Sequence, residues 1–224
     1  MMFKNVLIEN KDPGIRIIKI NRPQALNALN TETLRELKAA LKAAAEDKSV
    51  RVVVFTGEGE KSFIAGADIS EMNGKNSSEG ITFAQLGHEV TKLLELMPKV
   101  TIAAVNGFAL GGGTEMAISC DFIYASDKAV FGQPEVCLGI IPGFGGTIRL
   151  AKFVGYPRAK ELIFSGKKIK ADEALRIGLV NAVYPAAELL TQTIETAKMI
   201  SQNSLSAVVK AKKLLNEFSE SFGL

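Results

Sequence analysis

The sequence predicts an α/β fold with parallel strands, and three observations carry that expectation. Continuous β-branched runs that end at glycine, such as Val50 to Thr56 before Gly57-Glu58-Gly59, have the pattern of strands buried on both faces. Segments with helical spacing fall between such runs from Val50 to Phe131, the alternation expected of a parallel sheet with crossover helices. The 224 residues are 47% hydrophobic and 23% charged, which suits one substantial globular domain and not a disordered chain.

In chain order, Phe3 to Glu9 and Ile15 to Ile20 read as short strands around the turn Lys11-Asp12-Pro13-Gly14. Asn30-Thr31-Glu32-Thr33 opens an amphipathic helix with Leu34, Leu37, Leu41 and Ala44 near helical spacing. After the Val50 to Thr56 strand comes a helix around Phe83 to Met97, stopped by Pro98. Thr101 to Asn106 is a second buried strand, followed by a glycine cluster and a helix from Glu115 to Cys120. Asp121 to Ser126 and Ala129 to Phe131 are further strands. From Thr147 the pattern is mainly helical, with helices at Glu188 to Ile200 and Ala207 to Phe218 and a last strand at Val180 to Tyr184.

The charge balance narrows the function classes. The 27 basic and 24 acidic residues, net +3, are scattered. Lys167-Lys168 and the group Lys210, Lys212 and Lys213 therefore read as solvated surface, not as a nucleic-acid footprint. One or two lysines still suffice for the phosphate of an anionic cofactor. Cys120 and Cys137 both lie in apolar runs and read as buried, reduced thiols, not as a disulfide or metal pair. His88 has no second histidine or nearby cysteine with which to share a metal, and leaves a Ser-His-Asp mechanism a single candidate base. No apolar run reaches membrane-spanning length and the N-terminus lacks the pattern of a signal peptide, so the expected location is cytoplasmic.

Three segments can carry chemistry. In Val105 to Glu115, the run Gly111-Gly112-Gly113 stands between a strand and a helix, where a backbone without Cβ atoms approaches a ligand and the first helical amides lack internal acceptors. A tight strand-to-helix turn accounts for the same glycines. The run is neither a dinucleotide fingerprint nor a P-loop. In Phe63 to Glu71, Asp68 and Glu71 resemble a capping pair, and Ala65-Gly66-Ala67 leave amides open, so two loops could each offer one N–H to a single oxygen. Glu135 follows Pro134 and precedes a glycine-rich run, Gly139 to Gly146. Alone, Glu135 reads as a surface carboxylate, and Glu115 reads equally as a dipole-favoured surface carboxylate in the first helical turn. As a pair in apolar surroundings, burial would raise them toward the pKa that acid–base catalysis needs.

Together these segments resemble the crotonase (enoyl-CoA hydratase/isomerase) superfamily. The likeness runs from about residue 4 to about residue 215 and rests on six motifs in order. They are Asn21 to Leu29, Ala65-Gly66-Ala67-Asp68-Ile69, Asn106-Gly107 through Glu115, Gly132-Gln133-Pro134-Glu135, Pro142-Gly143-Phe144-Gly145-Gly146 and Ala171-Asp172-Glu173-Ala174. The resemblance implies a spiral of ββα units over residues 1–165 that holds the active site, and a helical C-terminal region over 166–224. That region looks incomplete, with residues missing near Glu217 and after Leu224.

The resemblance further implies an acyl-CoA substrate, no metal, no cofactor beyond the coenzyme A of the substrate, and assembly as a homotrimer or dimer of trimers. The amides of Ala67 and Gly112 would form the oxyanion hole. Glu115 would deprotonate the water that attacks C3, and Glu135 would exchange the proton at C2. Substrate contacts would come from Ala25, Leu26, Ala65, Gly66, Ala67, Asp68, Ile69, Gly111, Gly112 and Pro134. Retention of both glutamates points to hydration of a short-chain enoyl-CoA. The alternatives are a Δ3,Δ2-enoyl-CoA isomerase and a non-catalytic relative that binds acyl-CoA or RNA.

Overall fold

The computed structural model describes residues 3–221. The chain opens with a hairpin of β1 (Val6–Lys11) and β2 (Ile15–Ile20), in which Val6 pairs with Ile20. A 3-10 turn over Pro23–Ala25 leads to α1 (Thr31–Glu46), whose N-cap Asn30 accepts the Thr33 amide, as the sequence predicts. Three strand–strand–helix units follow. β3 (Val52–Gly57) and β4 (Ser62–Ile64) lead to α2 (Ile69–Met72) and α3 (Ser77–Leu96). β5 (Val100–Val105) and β6 (Phe108–Leu110) lead to α4 (Gly112–Ala117). β7 (Phe122–Ser126) and β8 (Val130–Gly132) lead to a 3-10 turn over Pro134–Leu138, then α5 (Gly146–Val154) and α6 (Tyr156–Ser165). β9 (Lys168–Lys170), α7 (Ala171–Arg176), β10 (Ala182–Tyr184), α8 (Leu189–Gln202) and α9 (Leu205–Ser221) complete it.

Each unit sends its first strand to one sheet and its second to another. The large sheet runs β1-β2-β3-β5-β7-β10 and is parallel from β2 onward. The small sheet runs β4-β6-β8-β9, with β4, β6 and β8 parallel and β9 antiparallel. Successive units therefore stack like turns of a spiral, as the resemblance implies. β9 and β10 extend both sheets past residue 166.

The pattern of burial explains the β-branched runs. Ile18, Ile20, Val53, Phe55, Ala103 and Val105 point to the core shared with α1, α3 and the small sheet. The residues between them, Ile17, Val52, Val54, Ile102 and Ala104, join a second core with Leu189 and Ala197 of α8. A strand buried on both faces cannot alternate polar with apolar, so the runs are continuous. Phe55 of β3 and Phe63 of β4 meet edge-on with ring centroids 5.1 Å apart, joining the two sheets of one unit.

Several expectations are corrected. α3 starts at Ser77, six residues before Phe83, because Asn76 and Glu79 form a reciprocal capping box that stabilises a polar first turn without apolar periodicity. Cys120 is buried but Cys137 is exposed, since it lies on the outer part of a 3-10 turn whose inner residue is Glu135. Lys212 is not solvated surface. Its side chain is 9% exposed, pairs with Asp121 at 3.0 Å and donates to the Lys99 carbonyl at 2.9 Å, fastening α9 to the end of α3 and the start of β5. The expected C-terminal segment ends in Phe222, Gly223 and Leu224, which lie outside the described residues, as does any continuation past them. None of the described helices is long and apolar enough to cross a membrane.

Phe63→Ala should cost about 3–5 kcal/mol, the usual price of deleting a buried aromatic ring. Guanidinium denaturation followed by circular dichroism checks this, and a loss under 1 kcal/mol would show the sheets to be joined by other contacts.

Candidate active site

Glu115 is the fourth residue of α4, a helix buried along its whole length. The helix can start where it does because Gly111, with φ 51° and ψ −121°, turns the chain out of β6 in a backbone conformation that side chains resist. Glu115 itself is 1% exposed. Both the Phe144 and Gly146 amides donate to its Oε1, each at 2.7 Å, so Oε2 carries neither bond. Burial pushes the carboxyl above its ordinary range. The Gly146 and Phe144 amides, then the Arg149 charge, pull against it.

Glu135 sits in the 3-10 turn that Pro134 initiates, a position where the missing proline N–H costs nothing. It is 9% exposed, and its pKa is pushed up to about 7, first by burial and then by the negative charge of Glu115, against the pull of its own backbone amide. With its amide nitrogen turned toward the carboxylate, buried Gln133 donates to both Glu135 oxygens at 3.0 and 3.1 Å. Two glycines make the pair possible. A Cβ on Gly146 would lie 2.9 Å from Glu115 Cγ and 2.6 Å from the Gln133 amide, and one on Gly111 would lie 2.9 Å from Glu135 Oε1. Glu115, Gly146, Gln133 and Glu135 thus form one contiguous group.

The two amide-bearing loops also converge. Leu29 pairs as a parallel bridge with Ala67: its amide donates to the Gly66 carbonyl and its carbonyl accepts the Asp68 amide. Alternation along an extended segment then turns the Ala67 N–H the other way. The same Leu29 reaches Gly112, where a Cβ would lie 3.5 Å from its Cδ1. Gly113 is obligatory for this approach, because a Cβ there would collide with the Ile64 carbonyl. Gly112 is the first residue of α4, so its amide has no acceptor one turn back within the helix.

Ala25 and Leu26 belong to this loop cluster through the bond from the Ala65 amide to the Leu26 carbonyl. Leu26 and Asn27 both hold left-handed backbone, φ 50° and 58°, supported by buried Asn27, which accepts the Arg22 amide and donates to the Glu58 and Ser62 carbonyls. Leu26 and Ile69 leave apolar side chains exposed at the edge of the cluster. Pro134 lies instead in the turn with Glu135. Asp68 caps α2 as expected, accepting from the Ser70 amide, and its other oxygen pairs with Arg22 at 2.9 Å. Glu71 does not complete the capping pair. It reaches across to the Thr31 amide and hydroxyl and to Lys75, tying the loop to the start of α1.

Gln133, Phe144 and Gly146, which stand within the family-like motifs, and Arg149, which stands outside them, carry no individual sequence signal of their place in the site. A backbone amide that serves a side chain leaves no composition signal. The glycine spacing of Pro142 to Gly146 was the visible trace.

The profile of the enoyl-CoA hydratase/isomerase family matches residues 10–222. The chain is 53% identical over 216 residues to a short-chain-enoyl-CoA hydratase of Clostridium acetobutylicum, covering 96% of this chain and 82% of that protein. It is 48% identical over 217 residues to a crotonyl-CoA hydratase of Syntrophomonas wolfei, covering 97% and 83%. The crystal structure of an enoyl-CoA hydratase from Bacillus anthracis superposes with a TM-score of 0.93 at 40% identity, covering 95% of this chain and 83% of that one. The chain belongs to the enoyl-CoA hydratase/isomerase family.

The raised pKa of Glu135 has a consequence for stability. A carboxyl that titrates higher when folded favours the folded state at acid pH, and this contribution is lost as pH rises from about 4.5 through about 7. Glu135→Gln should therefore gain stability relative to the parent between about pH 5 and about pH 8. Urea unfolding at the two pH values checks it, and a constant difference would place Glu135 in the ordinary carboxyl range.

Proposed function

We propose that the protein is an enoyl-CoA hydratase, which adds water syn and reversibly across the C2–C3 double bond of a short-chain trans-2-enoyl-CoA to give 3-hydroxyacyl-CoA. The observation that carries this reading is the burial of two adjacent carboxylates in unequal surroundings. Environments that set two acids apart define which one donates and which one accepts. Glu115, with two amides on Oε1 and Arg149 nearby, is suited to remain ionised and take a proton from water through Oε2. Glu135, pushed up to a pKa of about 7 by burial and by the Glu115 charge, is suited to hold the proton that C2 receives.

The steps balance. As Glu115 takes one proton, the water oxygen bonds to C3 and the C2–C3 π electrons move into the thioester, whose oxygen gains enolate charge. The amides of Ala67 and Gly112 stabilise that charge as an oxyanion hole, where fixed dipoles need no reorganisation. Glu135 then delivers its proton to C2, and the thioester carbonyl is restored. The reverse reaction starts with the protons exchanged between the two acids. In this reading the coenzyme A portion lies along Ala25, Leu26 and the Ala65 to Ile69 loop, with Gly111, Gly112 and Pro134 beside the acyl group. No metal or separate cofactor takes part.

The same reading places the enzyme in fatty acid β-oxidation or butyrate-type metabolism. A homotrimer or dimer of trimers would cover exposed apolar side chains such as Leu138, Ile141 and Ile148. Two unpaired thiols suit a reducing compartment, and the cytoplasm is the location we propose.

Loss of the conjugated thioester absorbance of crotonyl-CoA tests the activity. Glu115→Gln and Glu135→Gln should each lower kcat by about 10²–10⁴ with acyl-CoA binding largely kept. Near-parental rates in both, or double-bond migration without hydration, would overturn the assignment. In the parent, kcat/KM for hydration should fall as pH rises through about 7, where Glu135 loses its proton, and a profile flat from about pH 6 to about pH 8 would remove Glu135 as the acid.

A further inference from the structure

Arg149 lies in the first turn of α5 and is 9% exposed. Its Nε and Nη2 both donate to Glu95 Oε2 on α3, at 3.1 and 2.7 Å, and its Nη1 donates to the Phe144 carbonyl at 2.8 Å. The Thr91 hydroxyl donates to that same carbonyl at 3.2 Å. The carbonyl belongs to the peptide between Phe144 and Gly145. The two amides that hold Glu115 belong to the peptides on either side of it, so gripping the middle peptide fixes both donors. Gly145, at φ 101°, leaves the guanidinium its place, since a Cβ there would collide with Nη1.

We propose that Arg149, braced by Glu95, is a positioning residue for hydration: it holds the 144–146 loop so that both amides converge on Glu115 Oε1. The proposal rests on the reading of Glu115 as the base. A positively charged fork is required because it must satisfy a carboxylate on one side and a carbonyl on the other, which a lysine cannot do in the same geometry. The charged groups near it are Glu95, His88 and Lys92 from α3, Glu115 from α4 and, through Glu115, Glu135 from the 3-10 turn, with Lys152 of α5, Asp121 before β7 and Lys212 of α9 lining the same cavity. His88 lies 3.5 Å from the position of a Gly145 Cβ and is kept below its ordinary range by burial, Arg149 and Lys92.

The test compares Arg149→Gln, Arg149→Lys and Glu95→Gln in a His88→Gln background, so that histidine titration does not enter the pH profile. In Arg149→Gln, kcat for crotonyl-CoA hydration should fall about 10- to 100-fold, the scale of a misplaced reacting group, with KM within about twofold. The acid limb of the profile, set by ionisation of Glu115, should move to higher pH. Arg149→Lys should keep the acid limb near its parental position and regain part of kcat. Glu95→Gln should lower kcat less than Arg149→Gln and in the same direction. An Arg149→Gln enzyme with kcat within about threefold and an unmoved limb overturns the inference, as does a rise in KM that matches the fall in kcat. If Arg149→Gln does not fold, Glu95→Gln and Arg149→Lys decide: parental kcat in both overturns it, and a fall in both supports it. Glu115→Gln assayed alongside separates the two readings. An active Glu115→Gln sinks the role of Glu115, whereas an inactive one beside a full-rate Arg149→Gln sinks only the role of Arg149.

Discussion

Burying the Glu115 carboxylate is the constraint on which the site depends. An ionised carboxylate removed from water is stable only when hydrogen bonds replace its hydration. Here the replacements are two backbone amides on one oxygen, delivered by a loop that starts 29 residues farther along the chain. For those amides to arrive, α4 must enter the core beneath β4, the 144–146 loop must pass over it without side chains in the way, and α3 must supply the brace behind the loop. Gly113, Gly146 and Gly145 meet the first two requirements at points where a Cβ would strike Ile64, Glu115 or Arg149. The spiral of strand pairs is the scaffold that brings these separate turns to one place.

The two acids differ because their neighbours differ. Both are buried, and desolvation acts on each in the same direction. Glu115 has compensation from the loop amides and a nearby guanidinium, whereas Glu135 feels the charge of Glu115 as an opposing influence. The charge of Glu115 therefore adds to burial in favouring the protonated form of Glu135. Gln133 donates to the Glu135 carboxyl, so neither acid depends on solvent alone for its position. The proposed hydration, which takes a proton from the water that adds at C3 and gives one to C2, needs this inequality more than it needs either absolute pKa.

Much of this was legible in the sequence because long-range requirements leave local marks. Val50 to Thr56 announced a doubly buried strand, Asn30 announced a cap, and the glycines around Gly112 announced a close approach of backbone. The strands β4, β6 and β9 were not legible, since three residues carry only a marginal local signal, which sufficed at β8 and β10 but not at these. The same limit hid the start of α3, whose first turn is polar and held by its cap. Lys212 and Glu71 were misread for a different reason. Each is a charged residue on a short helix or exposed-looking face, and only the tertiary arrangement reveals that Asp121 and the amide of Thr31 await them.

The placement of Arg149 shows how a fold can lend charge to a carboxylate without bonding to it, which suits the role of base proposed for Glu115. A guanidinium bonded directly to Glu115 would satisfy the carboxylate bidentately and hold it far below the pH at which it must accept a proton. It would also occupy Oε2, the oxygen that carries neither loop amide. Arg149 instead spends its hydrogen bonds on Glu95 and the Phe144 carbonyl, and reaches Glu115 through the intervening peptides and through space. The carboxylate receives orientation and a moderated field, and Oε2 carries neither loop amide. Neutralising Arg149 with Glu95 limits that field further, since the ion pair presents a dipole to the site in place of a bare cation. The cost of burying Arg149 behind the loop, beside a half-buried Glu95, is thus connected to the orientation of the Glu115 carboxylate.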